Sequence, residues 1–119
     1  MRDAVLDTAK EIVNGARESD YGSPYENHKR IADIWSAMTG YKFTPSMVSA
    51  MMIGVKLARA KENIGLLDNW VDIAGYSAIT WEILSEESKT EAHRKVDEIS
   101  KSFRTAQARK SNEALYEDH

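Results

Sequence analysis

The sequence contains no cysteine, and only two of its 119 residues are proline. Without cysteine the chain cannot form disulfides, thiolate zinc sites or a thiol nucleophile. No charge of one sign dominates, since 16 basic residues stand against 19 acidic ones and give a net charge of −3. General nucleic-acid binders usually carry a strong basic excess. We therefore expect no general nucleic-acid binding.

Long apolar runs are also missing. No stretch approaches the roughly 20 residues that span a bilayer, and the first residues lead into mixed polar sequence instead of the apolar segment of a signal peptide. We therefore expect a cytoplasmic protein with no membrane partner. The length suits one core, and the sequence predicts a single helical domain over residues 1–110 with a frayed tail over 111–119.

The sequence has strong helix signals and no defensible strand pattern. Ser23-Pro24 and Thr44-Pro45 each place a capping side chain before a proline, which is typical of a helix start. The predicted helices run from near Asp3 to Asn14-Gly15, from Ser23-Pro24 to Thr39 with Gly40 as the stop, from Pro45 to Asn63, and from an Asp68 cap to Ser85. A polar break at Glu86–Lys89 is followed by Thr90, which can cap a fifth helix over much of the remaining sequence. The fold class is thus an all-α bundle of about five helices.

Two apolar patterns predict assembly. The third and fourth predicted helices are apolar on most sides and need more cover than a small monomer gives. In the last helix Val96, Ile99, Phe103 and Ala106 form a narrow seam of coiled-coil spacing that could pack on another subunit. We therefore expect a homo-oligomer, a dimer or higher.

Asp72 lies in an apolar helix, where a carboxylate must be paired, hydrogen-bonded or bound to a cation. Lys56 and Arg59 share a face of the preceding helix, which a short connection makes an antiparallel neighbour. Asp68 lies one turn before Asp72. One interpretation is a structural salt-bridge network. The other is a pocket in which the cations meet phosphate, while Asp68 and Asp72 orient them or hold a divalent cation such as magnesium.

The segment before the second helix is another candidate site. Arg17, Asp20 and Tyr21 precede a helix N-terminus, which attracts anions, and Tyr21 could stack on a base. Alternatively this is an ordinary loop anchored by Tyr21. Asn27 and Arg30, one turn apart, could line the same pocket.

The remaining motifs give little evidence for a metal site or a catalytic site. The three histidines have no metal-ligand spacing, and His28, although it could touch a ligand, fits a partly exposed surface position better. No phosphate-binding glycine loop or Ser-His-Asp set is present. Catalytic residues therefore stay unassigned.

Short phrases between Asp20 and Tyr76 carry a resemblance: residues 20–24, 27, 30–32, 35–37, 44–45, 51–52, 56–59, 68–69 and 71–76. They resemble a family of small, uncharacterised phage and prophage proteins. More distantly, the third and fourth helices resemble the all-α nucleotide pyrophosphatases of MazG type, whose paired acidic motifs hold magnesium over a nucleotide triphosphate. Asp72 and Tyr76 fit the second of those motifs. Asn69 replaces its glutamate, and Lys56 and Arg59 stand near the first acidic pair.

The residues and the resemblance together leave three functional hypotheses. The leading hypothesis is a phage-type oligomer in the host cytoplasm that binds a linear or cyclic nucleotide, for example an immune signalling nucleotide that it sequesters as an anti-defence protein. Lys56 and Arg59 would contact the phosphate. Asp68 and Asp72 would hold these two cationic side chains or the sugar. Tyr21 would cover the base. The alternatives are a magnesium-dependent nucleotide pyrophosphatase, using Asp68 and Asp72 with Glu62 or Glu26, and a non-catalytic module whose seam docks a host factor.

Overall fold

Helices account for most of the chain in the computed structural model, which describes residues 1–15 and 22–117, with side chains to residue 113. The helices of these ranges are α1 (Arg2–Val13), α2 (Pro24–Thr39), α3 (Pro45–Glu62) and α4 (Leu67–Glu117). No strand occurs in the described ranges. The prediction of an all-α fold is confirmed.

The ends of α2 are set by side chains close in sequence. The Ser23 hydroxyl accepts a hydrogen bond from the Glu26 backbone N–H at 3.2 Å, and Pro24 occupies the first helical position. At the other end Gly40 adopts φ 77°, a left-handed conformation that glycine takes without a steric cost. Both boundaries were predicted from sequence.

The start of α3 follows the same rule, because the Thr44 hydroxyl accepts a hydrogen bond from the Met47 N–H at 3.3 Å. The start of α1 differs from the prediction. Met1, and not Asp3, is the residue before the helix. Asp3 lies in the first turn, where its negative charge is favourable beside the free N–H groups.

The predicted break at Glu86–Lys89 is wrong, and so is the separate fifth helix, because α4 continues from Leu67 to Glu117. The segment contains no glycine or proline, and glutamate and lysine are good helix formers. Its polarity therefore reflects an exposed helix surface. Asp68 lies in the first turn of α4 and does not precede the helix.

The chain divides into two units, residues 1–86 and 87–119. In unit 1 the residues of α3 and α4 pair in antiparallel order. Ser49 Oγ lies 2.7 Å from Thr80 Oγ1. Further along α3, Lys56 Nζ lies 2.7 Å from Asp72 Oδ2, which comes earlier in α4 than Thr80 does. The prediction that these helices are antiparallel neighbours is confirmed.

The other two helices pack on this pair within unit 1. The connection from α2 into α3 is held by an edge-on contact of the Trp35 and Phe43 rings, 5.8 Å between centroids. On the other side, α1 crosses α4 at Gly75, where a Cβ would lie 3.4 Å from Val13 Cγ1. The fully buried apolar side chains of unit 1 include Val48 and Ile83, each 0% exposed. Small and β-branched side chains thus let the helices approach closely.

Unit 2 contains the C-terminal part of α4. Arg94 forms ion pairs with Glu91 and Glu98 on its surface. The hydrogen bonds that its guanidinium donates to the Glu91 carboxylate are the main cause that raises the pKa of Arg94 above its ordinary value. Every described side chain from residue 88 to 113 is exposed, including Val96, Ile99 and Phe103 of the predicted seam. None of the helices described in either unit is long and apolar enough to cross a membrane.

Two glycines should respond oppositely to alanine. At Gly40 a side chain would be strained by the positive φ, so Gly40→Ala should lower the free energy of unfolding by about 1–2 kcal/mol. At Gly54, inside α3, a Cβ meets no atom within 4 Å. Gly54→Ala should therefore raise that free energy by about 0.5–1 kcal/mol. Urea unfolding checks both; shifts of the same sign would contradict the assignment.

Candidate ligand site

One ion pair joins α3 to α4. Lys56 Nζ lies 2.7 Å from Asp72 Oδ2, and their side chains are 13% and 33% exposed. The predicted partnership of these two residues is therefore present. Because a third of Asp72 is exposed, water reaches the pair, which is not locked in a dry interior.

The other two charges of the predicted cluster lie outside this contact. Arg59 and Asp68 are both exposed, and no ion pair within the described residues joins them to Lys56 or Asp72. The helix geometry explains this: α3 directs Lys56 and the buried Ala60, four residues apart, inward. Arg59 lies on the flank of that face.

A cavity of about 290 Å³ lies in unit 1, and all four helices contribute to it. Its apolar walls are Ile12, Val13, Ile31, Met52 and Ile79. Its polar side chains are Asn27, His28 and Tyr76, and Gly22 and Pro24 line it at the N-terminus of α2. Apolar walls with a few polar groups are the usual composition of a small-molecule site, and the volume lies just below the usual range of about 300–1,000 Å³.

His28 is the most deeply buried polar group of the cavity, at 6% exposure. Its Nδ1 lies 2.7 Å from the Pro24 carbonyl oxygen, and its ring meets the Tyr76 ring edge-on at 6.3 Å. The prediction of a partly exposed surface histidine is wrong. The signal in the sequence was its position four residues before the buried Ala32, on the inner face of α2.

The cavity and the ion pair lie on consecutive turns of the same two helices. Met52 precedes Lys56 by four residues on α3, and Tyr76 follows Asp72 by four on α4. Side chains at this spacing share a helix face and lie about 5–6 Å apart at Cβ. Lys56 and Asp72 are not among the described lining residues of the cavity. The Lys56 ammonium group therefore lies about one helical turn from the cavity.

The remaining predicted site residues divide into two groups. Asn27 lines the cavity. Arg30 is exposed, but its Nη2 lies 3.9 Å from where a Cβ of Gly22 would stand, so the guanidinium lies beside the N-terminus of α2. The other group, Arg17, Asp20 and Tyr21, lies outside the described residues.

Gly22 is one of the residues that line the cavity. Its φ is 81°, and a Cβ there would approach Glu26 Oε2 to 3.1 Å. Both facts favour glycine at this position. Sequence reasoning did not single out Met52 or Ile79 as cavity residues, because their convergence depends on how the helices cross.

The described carboxylates do not converge on a metal site. Nowhere in residues 1–15 or 22–113 do three or more histidine, aspartate or glutamate side chains group so that they could hold a metal ion. Asp68 and Asp72, the metal ligands considered from sequence, do not gain a third such partner there. The polar chemistry of the described site is therefore that of hydrogen bonding and one ammonium group.

Comparison with known proteins identifies relatives in phages. The chain is 51% identical over 77 residues to the Gene 55 protein of Mycobacterium phage L5, a match that covers 64% of this chain and 49% of the relative. It is 33% identical over 86 residues to the Gene 55 protein of Mycobacterium phage D29, which covers 72% of this chain and 57% of the relative. The chain thus spans about half the length of these relatives.

No solved structure matches the chain. Residues 4–84 match the model of a protein family whose description is "Domain of unknown function (DUF6378)". The matched range ends within two residues of the end of unit 1, so the cavity and the Lys56–Asp72 pair both lie inside it. The family match covers more than half of the chain, which therefore belongs to the DUF6378 family.

Proposed function

We propose that unit 1 binds a nucleotide or nucleotide-derived phosphate ligand, linear or cyclic, and retains it without turning it over. The observation that carries this proposal is the cavity of about 290 Å³ with a lysine ammonium about one helical turn away. An apolar enclosure beside a cation suits a molecule with one flat, weakly polar end and one anionic end. Nucleotides have this combination.

The walls of the cavity suit the flat end of such a ligand. Ile31, Met52 and Ile79 supply apolar surface, and methionine adapts its shape to a ring. Burying that ring against them contributes roughly 25 cal/mol per Å² of apolar surface removed from water. Asn27 and His28 supply the few polar groups that fix the orientation of a ligand in such a site.

Lys56 suits the anionic end. The ammonium group has three N–H donors, and Asp72 engages one of them at 2.7 Å. The remaining donors can bind phosphate oxygens, while the carboxylate keeps the long side chain in one orientation. Hydrogen bonds between charged groups are the strong ones, worth about 1.5–3 kcal/mol.

The expected resemblance to MazG-type enzymes supports the proposal of retention without hydrolysis. Lys56 and Arg59 stand near the position of the first acidic pair in those enzymes, and a cation there would bind phosphate directly instead of through magnesium. The relatives of the chain are phage proteins. A phage protein that retains a nucleotide could sequester an immune signalling nucleotide of the host, which is the role we assign to it.

Calorimetric titration tests the proposal. The panel comprises linear mono-, di- and triphosphates and cyclic nucleotides, each with and without Mg²⁺. We expect at least one to bind with a Kd of about 1–100 μM, corresponding to about 5–8 kcal/mol, and chromatography to recover it unchanged. No binding tighter than millimolar would refute nucleotide binding. Release of phosphate or pyrophosphate only with Mg²⁺ would favour the alternative, a nucleotide pyrophosphatase.

The assembly we propose is a homo-oligomer that covers the outer face of α3. Met47, Met51 and Val55 follow one another at four-residue spacing and are 44%, 44% and 42% exposed. Ala50, also small and exposed, lies between Met47 and Met51 on this face. Contiguous apolar patches of this kind mark interaction sites on soluble proteins. A second copy of the chain is the partner we assign to this face.

Light scattering after size exclusion tests the assembly. The unchanged protein should have the mass of a dimer or higher oligomer at micromolar concentration. Met51→Glu should shift it toward the monomer, since burying an unpaired carboxylate is costly. Ser77→Glu adds the same charge at an exposed position of α4 and serves as the control. It should not shift the protein toward the monomer. A monomer for the unchanged protein would reject the proposal.

A non-catalytic interaction module is the second candidate function. It is favoured by the exposure of the seam in unit 2, where Val96, Ile99 and Phe103 are 59%, 70% and 65% exposed. Under the leading proposal Phe103→Glu leaves nucleotide affinity unchanged. Loss of host-factor binding in Phe103→Glu, with nucleotide affinity intact, would favour the module.

A further inference from the structure

We infer that unit 2 docks an acidic amphipathic helix of another protein, which covers the apolar seam and pairs with the cations beside it. The inference is independent of nucleotide binding in unit 1. It rests on the second candidate function, the interaction module, and names the chemistry of the partner. It depends on the width of the seam, on the charges around it and on what a second copy of the chain would bring to it.

The first step concerns the width of the apolar surface. Val96, Ile99 and Phe103 are 59%, 70% and 65% exposed, and they follow one another at steps of three and four residues. Ser100 and Ser102 lie on the two sides of this line, so the apolar surface does not widen there. A stripe this narrow is the form that packs against one other helix.

The second step concerns the charge of the same surface. Residues 99–112 contain four basic residues and no acidic one, in a chain whose net charge is −3. All four basic side chains are exposed, and no ion pair among the described side chains engages them. Ala106 of the seam lines one shallow depression of the helix surface together with Arg109 and Lys110. Positive charge therefore borders the seam at this end.

The three acidic residues that precede the basic run do not neutralise this charge. Glu91 and Glu98 form ion pairs with Arg94, and Asp97 Oδ2 lies 3.5 Å from His93 Nε2. At about 100° per residue, Arg94 lies on the side of the helix away from the seam. The negative charges of this part of unit 2 are therefore engaged on other faces of the helix.

A second copy of the chain does not supply the missing negative charge. In a parallel pair of seams Lys110, seven residues after Phe103, would face its own copy. In the antiparallel pair that aligns the whole seam, Lys95 would lie beside Arg109 of the other copy. Like charges at such positions oppose pairing, so they select against self-association through this surface.

An acidic helix matches both features of the surface. Its apolar side chains at heptad spacing would fill the seam, and glutamates beside them would pair with Lys95 and Arg109. An anionic membrane is a poorer match, because residues 87–113 contain no tryptophan or leucine to insert. The phosphates of nucleic acid would engage the cations but leave the apolar seam uncovered.

Fluorescence anisotropy of labelled peptides titrated with the full chain tests the inference. Each peptide has about four heptads with leucine at the seam positions. The flanking positions carry glutamate in the first peptide, serine in the second and lysine in the third. Vesicles of anionic phospholipid and a DNA duplex are titrated in parallel.

We expect the glutamate peptide to bind at least tenfold more tightly than the serine peptide, and the lysine peptide to bind least. The affinity of the glutamate peptide should fall at least fivefold between about 0.05 and 0.5 M salt, because salt screens exposed charges.

Three variants locate the contact. Arg109→Glu should weaken the glutamate peptide at least fivefold and strengthen the lysine peptide. Lys101→Glu makes the same charge change on the far side of the helix and is the control. It should alter either affinity less than twofold. Phe103→Glu should weaken the glutamate peptide at least tenfold. Circular dichroism checks that the variants stay helical, and the three peptides with the unchanged protein decide the question if one does not.

Equal binding of the glutamate and serine peptides would overturn the acidic partner and leave docking at the seam intact. Full affinity for the glutamate peptide in Phe103→Glu would also overturn the inference, because charge alone would then explain the binding. Tighter binding of the vesicles or the duplex than of the glutamate peptide would assign the surface to a membrane or to nucleic acid instead. Binding of no peptide would reject the interaction module as well, whereas nucleotide binding in unit 1 would stand.

Discussion

Lys56→Met is expected to lower the free energy of unfolding by about 1–3 kcal/mol and to weaken nucleotide binding about tenfold to a hundredfold. The stability loss arises because the Asp72 carboxyl group loses its partner at 2.7 Å. It stays below the loss for a fully buried pair, since a third of Asp72 is exposed. The affinity loss corresponds to one charged hydrogen bond to phosphate. Urea unfolding and calorimetry measure the two effects.

The double variant Lys56→Met/Asp72→Leu separates the two roles of the pair. Replacing both partners by apolar side chains is often nearly neutral for stability, so the unfolding midpoint should return close to that of the unchanged protein. Nucleotide affinity should stay low, because the ammonium group is still missing. Lys61→Met, at an exposed position of α3, is the control. Full nucleotide affinity in the double variant would show that the pair is only structural.

Ile83→Ala is expected to have the largest effect on stability, a loss of about 2–5 kcal/mol. The side chain is 0% exposed, so its removal leaves a cavity that neighbouring helices fill only in part. Since domains of this kind are stable by only about 5–15 kcal/mol, this is a large fraction. Leu84→Ala is the matched control, because Leu84 is the next residue of α4 and is 43% exposed.

Thermal unfolding followed by circular dichroism compares the two variants. Leu84→Ala should cost about 1 kcal/mol or less, since its side chain already contacts water. A bound nucleotide should raise the melting temperature of Ile83→Ala, because a ligand that binds only the folded state stabilises it. Equal losses for the two variants would contradict the assignment of Ile83 to the core.

Helix boundaries were predictable where one side chain decides them. The Ser23 and Thr44 hydroxyls accept N–H groups three residues onward, so a short stretch of sequence contains both partners. The helix end at Gly40 is also decided locally, because glycine has no side chain to oppose a positive φ. The continuity of α4 was not predictable by the same means, because a polar run without glycine or proline fits a loop and an exposed helix equally well.

The candidate site was predictable only in part. Lys56 and Asp72 were found because charges within apolar helices require partners, and this rule needs no three-dimensional information. The exposure of Arg59 depends on the angle at which α3 faces α4, which a spacing of three residues does not fix. His28 was missed for a similar reason. Its burial comes from the contact of α2 with Tyr76, 48 positions further along the chain.

The apolar character of α3 has two consequences in the structure. Val48 is fully buried within unit 1, as expected for a very apolar helix. Met51 and Val55 are 44% and 42% exposed, so one chain does not cover the whole helix. The sequence could show that this helix needs cover on several sides, but not which sides the same chain supplies.

Nuclear magnetic resonance titration of the labelled full chain with adenosine triphosphate decides whether the cavity between the helices of unit 1 is a nucleotide site. We expect saturable shifts that are largest at Asn27, His28 and Tyr76, with a smaller change at the Lys56 ammonium group. Absence of shifts up to millimolar nucleotide, or shifts confined to residues 87–119, would contradict it.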